Sequence, residues 1–489
     1  MTLQSATKTI NVEDFQAEAD SFFTVKTKIT HDVVLREIID SLQAVKFRKL
    51  AKLNPDEEIT QKHQIVLTVR EVLKTANKLN CGLCLHLGFI YSYNGEYWEI
   101  LEREALKICL AECAEKLSVN DITADYHKFK DELYKQFLAV AYLPKPETTN
   151  KAVLVNFQNA TGEITRDGIK LRPFSRSDFL TYQLSFAYDR TASYEKWQAF
   201  LDEVLPEKDK DGNVIDRGKS RQKVLAEYIA YIFTSLKLEK TLILFGTGAN
   251  GKSVFFEVIY ALLGKENISN YSLESLGDQY YRAMLANKLL NYSSEISNRL
   301  QAEKFKQLTS GEPIEARLPY GQPMTLTNYA KLAFNTNELP KDVEHTEAFF
   351  RRFLIIPFDV TVPEEKRNPI LANEIIEAEL SGVFNWILEG LNRLLQQGNF
   401  SKCDAAQKAV EAYRMESDSV AMFVDEYGYQ KSNEDFESLA DLYPSYKNFC
   451  LDNGFRPVHS RNLAKRLQAL GFGAGKKAFG KIIYLSREK

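Results

Sequence analysis

The sequence predicts an α/β core built on a parallel sheet, with an α+β unit before it and a small basic helix-and-hairpin unit after it. Three observations lead there. Between about residues 240 and 359, apolar runs of strand length alternate with helical patterns, as a parallel sheet requires. Near the N-terminal side, two aromatic runs flank Asn94 and Gly95, a strong short hairpin signal. From Phe455 onward the chain carries nine basic residues against Glu488 alone, a net charge of +8.

Composition sets the frame. The chain has 489 residues, enough for about three domains with cores of their own. Hydrophobic residues make up 44% and charged residues 26%, so an ordinary globular protein is expected. The formal charge is only −3, which confines any nucleic-acid binding to local patches. No stretch approaches the roughly 18–20 apolar residues of a bilayer span, and the first residues lack a basic-then-apolar secretory pattern. A cytoplasmic location without membrane contact is therefore expected. Six cysteines in this length do not make a disulfide scaffold. Cys81 and Cys84 form a lone CxxC, with Cys109 and Cys113 at helical spacing downstream, and they read as buried small hydrophobes rather than a metal site.

Residues 1–80 form the first unit. From about residue 30 they alternate charged and apolar positions at helical spacing, which predicts amphipathic helices. Residues 81–200 form an accessory unit, with the Asn94–Gly95 hairpin, helices to about Leu138, and a second strand-rich stretch from Val153 to Leu171. From Tyr194 to Ser235 the pattern is helical, broken by a polar loop in which Asp209, Lys210 and Asp211 read as solvated rather than metal-binding. Residues 201–365 hold the α/β core with its flanking helices, and residues 366–430 a helical linker region. Residues 431–489 end the chain with a helix over residues 461–470 and a basic hairpin over residues 475–485.

The core opens on the apolar run Thr241-Leu242-Ile243-Leu244-Phe245, followed by Gly246, Thr247, Gly248, Ala249, Asn250, Gly251, Lys252 and Ser253. This is the strand, glycine-rich loop and helix start of a P-loop. The glycines let the backbone aim several N–H groups at one phosphate chain, and the following helix adds the positive end of its dipole. Lys252 is placed to reach the β- and γ-phosphates, and the Ser253 hydroxyl to hold Mg²⁺. A nucleoside triphosphate, ATP with Mg²⁺, is the expected ligand.

Hydrolysis needs an acid near the metal and a polar group near the γ-phosphate. A second strand, Lys288 to Ser293, leads to Glu295, the candidate for activating the attacking water or ordering the Mg²⁺ shell. A third, Ala330 to Phe334, leads to Asn335, Thr336 and Asn337, where an amide would touch the γ-phosphate. Arg351 and Arg352 precede a further apolar strand, where an arginine can act on a neighbouring subunit's nucleotide.

In this order the series resembles a superfamily-three helicase of the kind joined to primases in phages, plasmids and poxviruses. The similarity covers about residues 85–485. It rests on the P-loop, the strand end at Glu295, the segment over residues 305–317, the Asn337-Glu338-Leu339-Pro340 signature, and Arg352 before Phe353. The resemblance implies an α/β P-loop (AAA+-like) ATPase core, an α+β N-terminal accessory domain and a C-terminal winged-helix domain. It further implies catalytic roles for Glu295, Asn337 and Arg352, with Ser253 and Glu295 at the metal. A homo-oligomeric ring, most simply a hexamer, would bind ATP between subunits and draw single-stranded or forked DNA through its channel. Two departures stand out. A single acid, Glu295, follows Ser294, and the loop after Arg317 lacks a lysine at its tip. DNA contacts are therefore expected from Lys306, Arg317 and Tyr320 in the channel. Lys465, Arg466, Lys476 and Lys477 supply those of the C-terminal unit.

No paired metal-binding acids of a primase precede the P-loop, so priming is expected from a separate chain. Three other readings compete with an ATP-dependent DNA helicase of a phage or mobile element. One is a replication initiator that uses ATP to assemble on origin DNA without processive unwinding. The second, a small-molecule P-loop kinase, leaves the arginine pair and basic tail unexplained. The third, a packaging or defence ATPase, lacks the carboxylate cluster it would need.

Overall fold

The computed structural model describes residues 31–142, 152–208, 213–216, 219–294, 296, 301–319, 321–341 and 343–487. The expected Asp209/Asp211 loop and two candidate site residues, Glu295 and Tyr320, lie outside them. Three amphipathic helices open the described chain: α1 (His31–Ser41), α2 (Phe47–Ala51) and α3 (Gln61–Lys78). They pack with α4 (Arg103–Lys116), α5 (Asp121–Asp125) and α6 (His127–Val140) around one core, in which Ile38, Val72, Leu110, Leu133 and Phe137 are fully buried. The Thr60 hydroxyl accepts the His63 N–H, capping α3 at its start.

Strands β1 (Leu83–His86), β2 (Phe89–Tyr93) and β3 (Trp98–Ile100) make an antiparallel sheet beside this bundle. The expected hairpin joins β2 to β3, pairing Tyr93 with Trp98. Its turn has four residues rather than two, because Asn94 Oδ1 accepts the N–H groups of Glu96 (3.0 Å) and Tyr97 (2.9 Å). Trp98 donates to Arg176 O at 3.0 Å and packs with Cys84, Tyr91 and Tyr93. Cys81, Cys84, Cys109 and Cys113 are all buried, and no group of metal-binding side chains occurs among the described residues. A second antiparallel sheet, β4 (Val153–Asn156), β5 (Thr161–Thr165) and β6 (Gly168–Arg172), follows in the expected place.

Helices α7 (Glu195–Val204) and α8 (Lys219–Tyr231) lead into the core, with a short strand pair between them, β7 (Glu207–Lys208) and β8 (Val214–Asp216). The core sheet is parallel and five-stranded. It contains β9 (Thr241–Phe245), β10 (Ile268–Ser269), β11 (Leu290–Ser293), β14 (Lys331–Thr336) and β15 (Phe353–Pro357), in the spatial order β10-β11-β14-β9-β15. Helices α9 (Lys252–Leu263), α10 (Gln279–Ala283), α11 (Ala302–Ser310) and α12 (Glu347–Phe350) fill its connections. An antiparallel hairpin, β12 (Ile314–Arg317) and β13 (Pro323–Leu326), projects between α11 and β14. The buried Arg282 guanidinium anchors its base by donating to Glu315 O at 2.9 Å and Gly277 O at 2.7 Å.

The long helix α13 (Leu371–Gln397) packs along α7, α8 and α9. Its Glu379 accepts the Lys196 and Trp197 N–H groups, both at 2.9 Å, placing a carboxylate at the N-terminus of α7. Helix α14 (Asp404–Glu416) returns to β15, and α15 (Ser419–Glu426) begins the last unit. That unit adds β16 (Tyr429–Ser438), α16 (Leu439–Asp452), α17 (Ser460–Ala469), β17 (Gly473–Lys477) and β18 (Gly480–Arg487), with strand order β16-β18-β17. The expected helix and hairpin are α17 and β17–β18; β16 was not anticipated. No helix among the described residues is long and apolar enough to cross a membrane.

Candidate active site

Strand order explains where a ligand can sit. From β9 the chain moves to one side of the sheet for β10, β11 and β14, and only β15 lies on its other side. A crevice opens at the carboxyl ends of strands around such a reversal. Here it is a cavity of about 930 Å³ lined by Gly248, Ala249, Asn250, Gly251, Lys252 and Ser253 on one wall. Asn335, Thr336, Asn337 and Ser294 form the next wall, and Phe200, Val204, Val362 and Leu371 an apolar end. Glu203, Glu338, Val254, Ile296, Lys366, Arg367 and Asn368 complete the lining.

The loop between β9 and α9 is shaped by two glycines. A Cβ on Gly246 would come within 2.4 Å of Phe358 O and of Asn250 Nδ2, so no other residue fits against β15's exit. Gly251 has φ +88°, and a Cβ there would meet Val204 Cγ1 at 2.7 Å. Helix α7 thus lies directly against the loop. Asn250 fastens the loop from within, donating to Phe358 O at 3.0 Å.

Lys252 is buried at the start of α9, and its ammonium donates to Gly246 O (2.6 Å) and Asn250 Oδ1 (3.0 Å). Burial pulls its pKa below the usual lysine value. Both acceptors are neutral, so a phosphate oxygen would satisfy this cation better than they do. Ser253 is exposed at the cavity wall beside it, and Thr247 and Ala249 are exposed on the loop.

The polar wall differs in one respect from expectation. Asn337 lines the cavity but is exposed beyond the end of β14. Asn335, two residues earlier, is more enclosed: it lines the cavity, its Nδ2 donates to the Tyr292 hydroxyl at 3.4 Å, and its buried Oδ1 has no partner among the described residues. The strand end Asn335-Thr336-Asn337 thus brings two amides to the cavity, where the resemblance singles out Asn337. Ser294 and Ile296, which flank Glu295, both line the cavity.

Arg352 departs further. Its Nε and Nη2 donate to Ser310 Oγ at 3.2 and 2.8 Å, its Nη1 donates to Ala348 O, and the Glu239 carboxylate lies 3.4 Å away. Only 9% of the side chain is exposed. Arg351, 55% exposed, reaches Glu239 at 2.9 Å and is the arginine of the pair open to solvent. The segment over residues 305–317 supports the sheet: Phe305 stacks on Phe353, and Thr309 shares a 2.9 Å hydrogen bond with Thr241.

The expected DNA-contacting residues also divide. Lys306 is held by Glu344 at 2.8 Å, and that contact, with a hydrogen bond from Thr346, pulls the Glu344 carboxyl down. Arg317 donates to Gly321 O at 2.9 Å, bracing the turn of the β12–β13 hairpin. Arg466 lies 2.5 Å from Asp418 and is taken up inside the chain. Neither Lys306 nor Arg466 is free for a phosphate in this arrangement. Lys465, Lys476 and Lys477 are exposed.

Two families match separate stretches of the chain. Residues 71–206 match the family described as D5 N terminal like. Residues 244–352, which run from the end of β9 to Arg352, match a family of unknown function, DUF5906. No curated protein matches the chain. Solved structures of the NrS-1 C terminal region are similar. The apo structure of residues 305–718 of NrS-1 is 14% identical with a TM-score of 0.48, covering 84% of this chain and 97% of that one. An A form apo structure of the same region is 13% identical with a TM-score of 0.46, covering 85% and 98%.

Proposed function

We propose that the chain is an ATP-hydrolysing DNA helicase serving replication of a phage or related mobile element. The observation that carries this reading is the glycine-shaped loop between β9 and α9, with Lys252 buried at its end and a 930 Å³ cavity in front of it. The D5 N terminal like match over residues 71–206 and the resemblance of the core series to superfamily-three helicases support the replication context.

In this reading the loop N–H groups, the α9 N-terminus and Lys252 hold the β- and γ-phosphates. Mg²⁺, held by Ser253 and Glu295, would supply charge neutralisation between those phosphates. Glu295 activates the attacking water, and Asn335, an amide that lines the cavity, helps to orient it. Asn337 stays a contact for the γ-phosphate from the rim. The apolar end at Phe200, Val204 and Leu371 receives the base. Because Arg352 is committed within its own chain, the finger role passes to Arg351, acting on a neighbouring subunit of a ring. The β12–β13 hairpin, with Arg317 bracing its turn, faces the DNA strand.

The experiment is ATP hydrolysis with and without single-stranded DNA, together with displacement of a labelled strand from a fork. Hydrolysis stimulated by DNA, strand release, and loss of both in Lys252→Ala are expected. Origin binding with ATP and no strand release would favour an initiator instead.

A further inference from the structure

The C-terminal unit has two unlike faces. Its core lies between α15, α16, α17 and the inner face of the sheet, where Ile483 and Leu485 are buried. Strand alternation turns Tyr484 to the opposite face. There it pairs across strands with Phe436 on one side and Gly473 on the other. A Cβ on Gly473 would meet the Tyr484 ring at 3.2 Å, and one on Gly475 at 3.3 Å. The two glycines therefore keep β17 low beside that ring.

More aromatic surface gathers on this face. Phe479, 63% exposed in the β17–β18 turn, is near-parallel to Phe436 at 6.4 Å and 23°. Phe436 meets Tyr484 edge to face at 6.3 Å. The Lys477 ammonium sits 3.4 Å from the centre of the Phe436 ring, whereas the cross-strand pair Lys476 and Lys481 falls on the other face, in line with Ile483. The acids nearby, Glu434 and Asp435, lie on the irregular part of β16 rather than in the β17–β18 turn.

We propose that this outer sheet face is a base-stacking platform for single-stranded DNA, a reading that rests on the proposed action on DNA. One exposed ring, Phe479, backed by the half-buried Phe436 and Tyr484 and an ammonium group, matches a strand of planar bases joined by phosphates. The surface is distinct from α17, whose Arg461 and Lys465 belong to the opposite side of the sheet. Phe479 is the outermost ring and takes a base on its free face; Lys477 neutralises a flanking phosphate.

The test is fluorescence anisotropy of the full chain with labelled oligothymidylate and with a strand of the same length lacking bases. Phe479→Ala removes an exposed side chain, so folding is not at stake, and it should weaken oligothymidylate binding about five- to hundredfold. Phe479→Trp should restore it. Wild type should bind the abasic strand as weakly as Phe479→Ala binds oligothymidylate. Equal affinity of wild type and Phe479→Ala, or of wild type for both strands, overturns the platform. Basal ATP hydrolysis, read in parallel, separates the two proposals. A chain that stacks bases without hydrolysing ATP defeats only the helicase reading. One that hydrolyses ATP while ignoring Phe479 defeats only the platform.

Discussion

Arg352 Nη2 donates to Ser310 Oγ at 2.8 Å, and this contact gives two neighbouring arginines different tasks. Arg352 holds α11 against the start of β15 from a buried position, whereas Arg351 remains exposed. Arg352→Ala strands the Ser310 hydroxyl and removes a charge-assisted network, which should cost about 2–3 kcal/mol in denaturant unfolding. Arg351→Ala should change stability by less than about 1 kcal/mol, because its pair with Glu239 is solvated. Equal stability losses in the two variants would refute this division.

Gly246→Ala forces a methyl group against Phe358 O and Asn250. Unlike a change at an exposed glycine, it must displace the loop from β15's exit. Overpacking of about 1–3 kcal/mol is expected. ATP affinity, measured by titration with a fluorescent analogue, should fall by more than the stability loss explains, since the loop is the proposed phosphate cradle. Unchanged affinity would show that the cradle lies elsewhere.

Lys306→Ala breaks the ion pair with Glu344 at a half-exposed site. A loss within about 1 kcal/mol is expected, and single-stranded DNA affinity should stay within about twofold, since the ammonium is not available to phosphate. A large affinity loss with unchanged stability would restore Lys306 to the DNA contacts.

Asp418 joins the core to the C-terminal unit. It caps α15 through the Val420 and Ala421 N–H groups and pairs with Arg466, and His345 stands 3.9 Å away. Burial alone would raise its carboxyl, but the Ala421 N–H and Arg466 hold it below the ordinary aspartate value. The sign is that of a depressed acid. Its stabilisation is whole above the unfolded value near 4 and is lost as pH falls through the folded value. Burial lowers His345 as well, so its contribution begins to fade below about pH 6.5. Thermal unfolding against pH should therefore show wild type losing stability toward acid. Asp418→Asn should start less stable and lose less below about pH 4. Parallel curves would remove Asp418 from this role.

Much of the architecture was legible in the sequence because certain positions tolerate few residue types. The loop over residues 246–253 needs glycine at Gly246 for want of space and at Gly251 for its positive φ. Phe436's strand, β16, was not legible. Its middle is polar and irregular, with the register shifting between Lys431 and Phe436, so no alternation marks it. Strand β11 reads as polar because Asn291 is buried yet satisfied, bonding Ser269 and Tyr271. Charged side chains are the hardest to place from sequence. Lys306, Arg352 and Arg466 have the right type and order for binding roles, but their partners Glu344, Ser310 and Asp418 stand dozens of residues away along the chain. Spacing along a chain does not reveal such long-range pairs, nor does it distinguish Asn335 from Asn337.

Subunit mixing decides whether a neighbouring subunit completes the ATP site, as proposed. Lys252→Ala lacks a working phosphate site but carries Arg351; Arg351→Ala has the site and lacks the finger. Each alone should be inactive in DNA-stimulated ATP hydrolysis. Mixed, they should regain part of the wild-type rate, because an Arg351→Ala site beside a Lys252→Ala subunit is complete. Inactivity of every mixture, with both proteins shown to assemble together, would contradict a shared site.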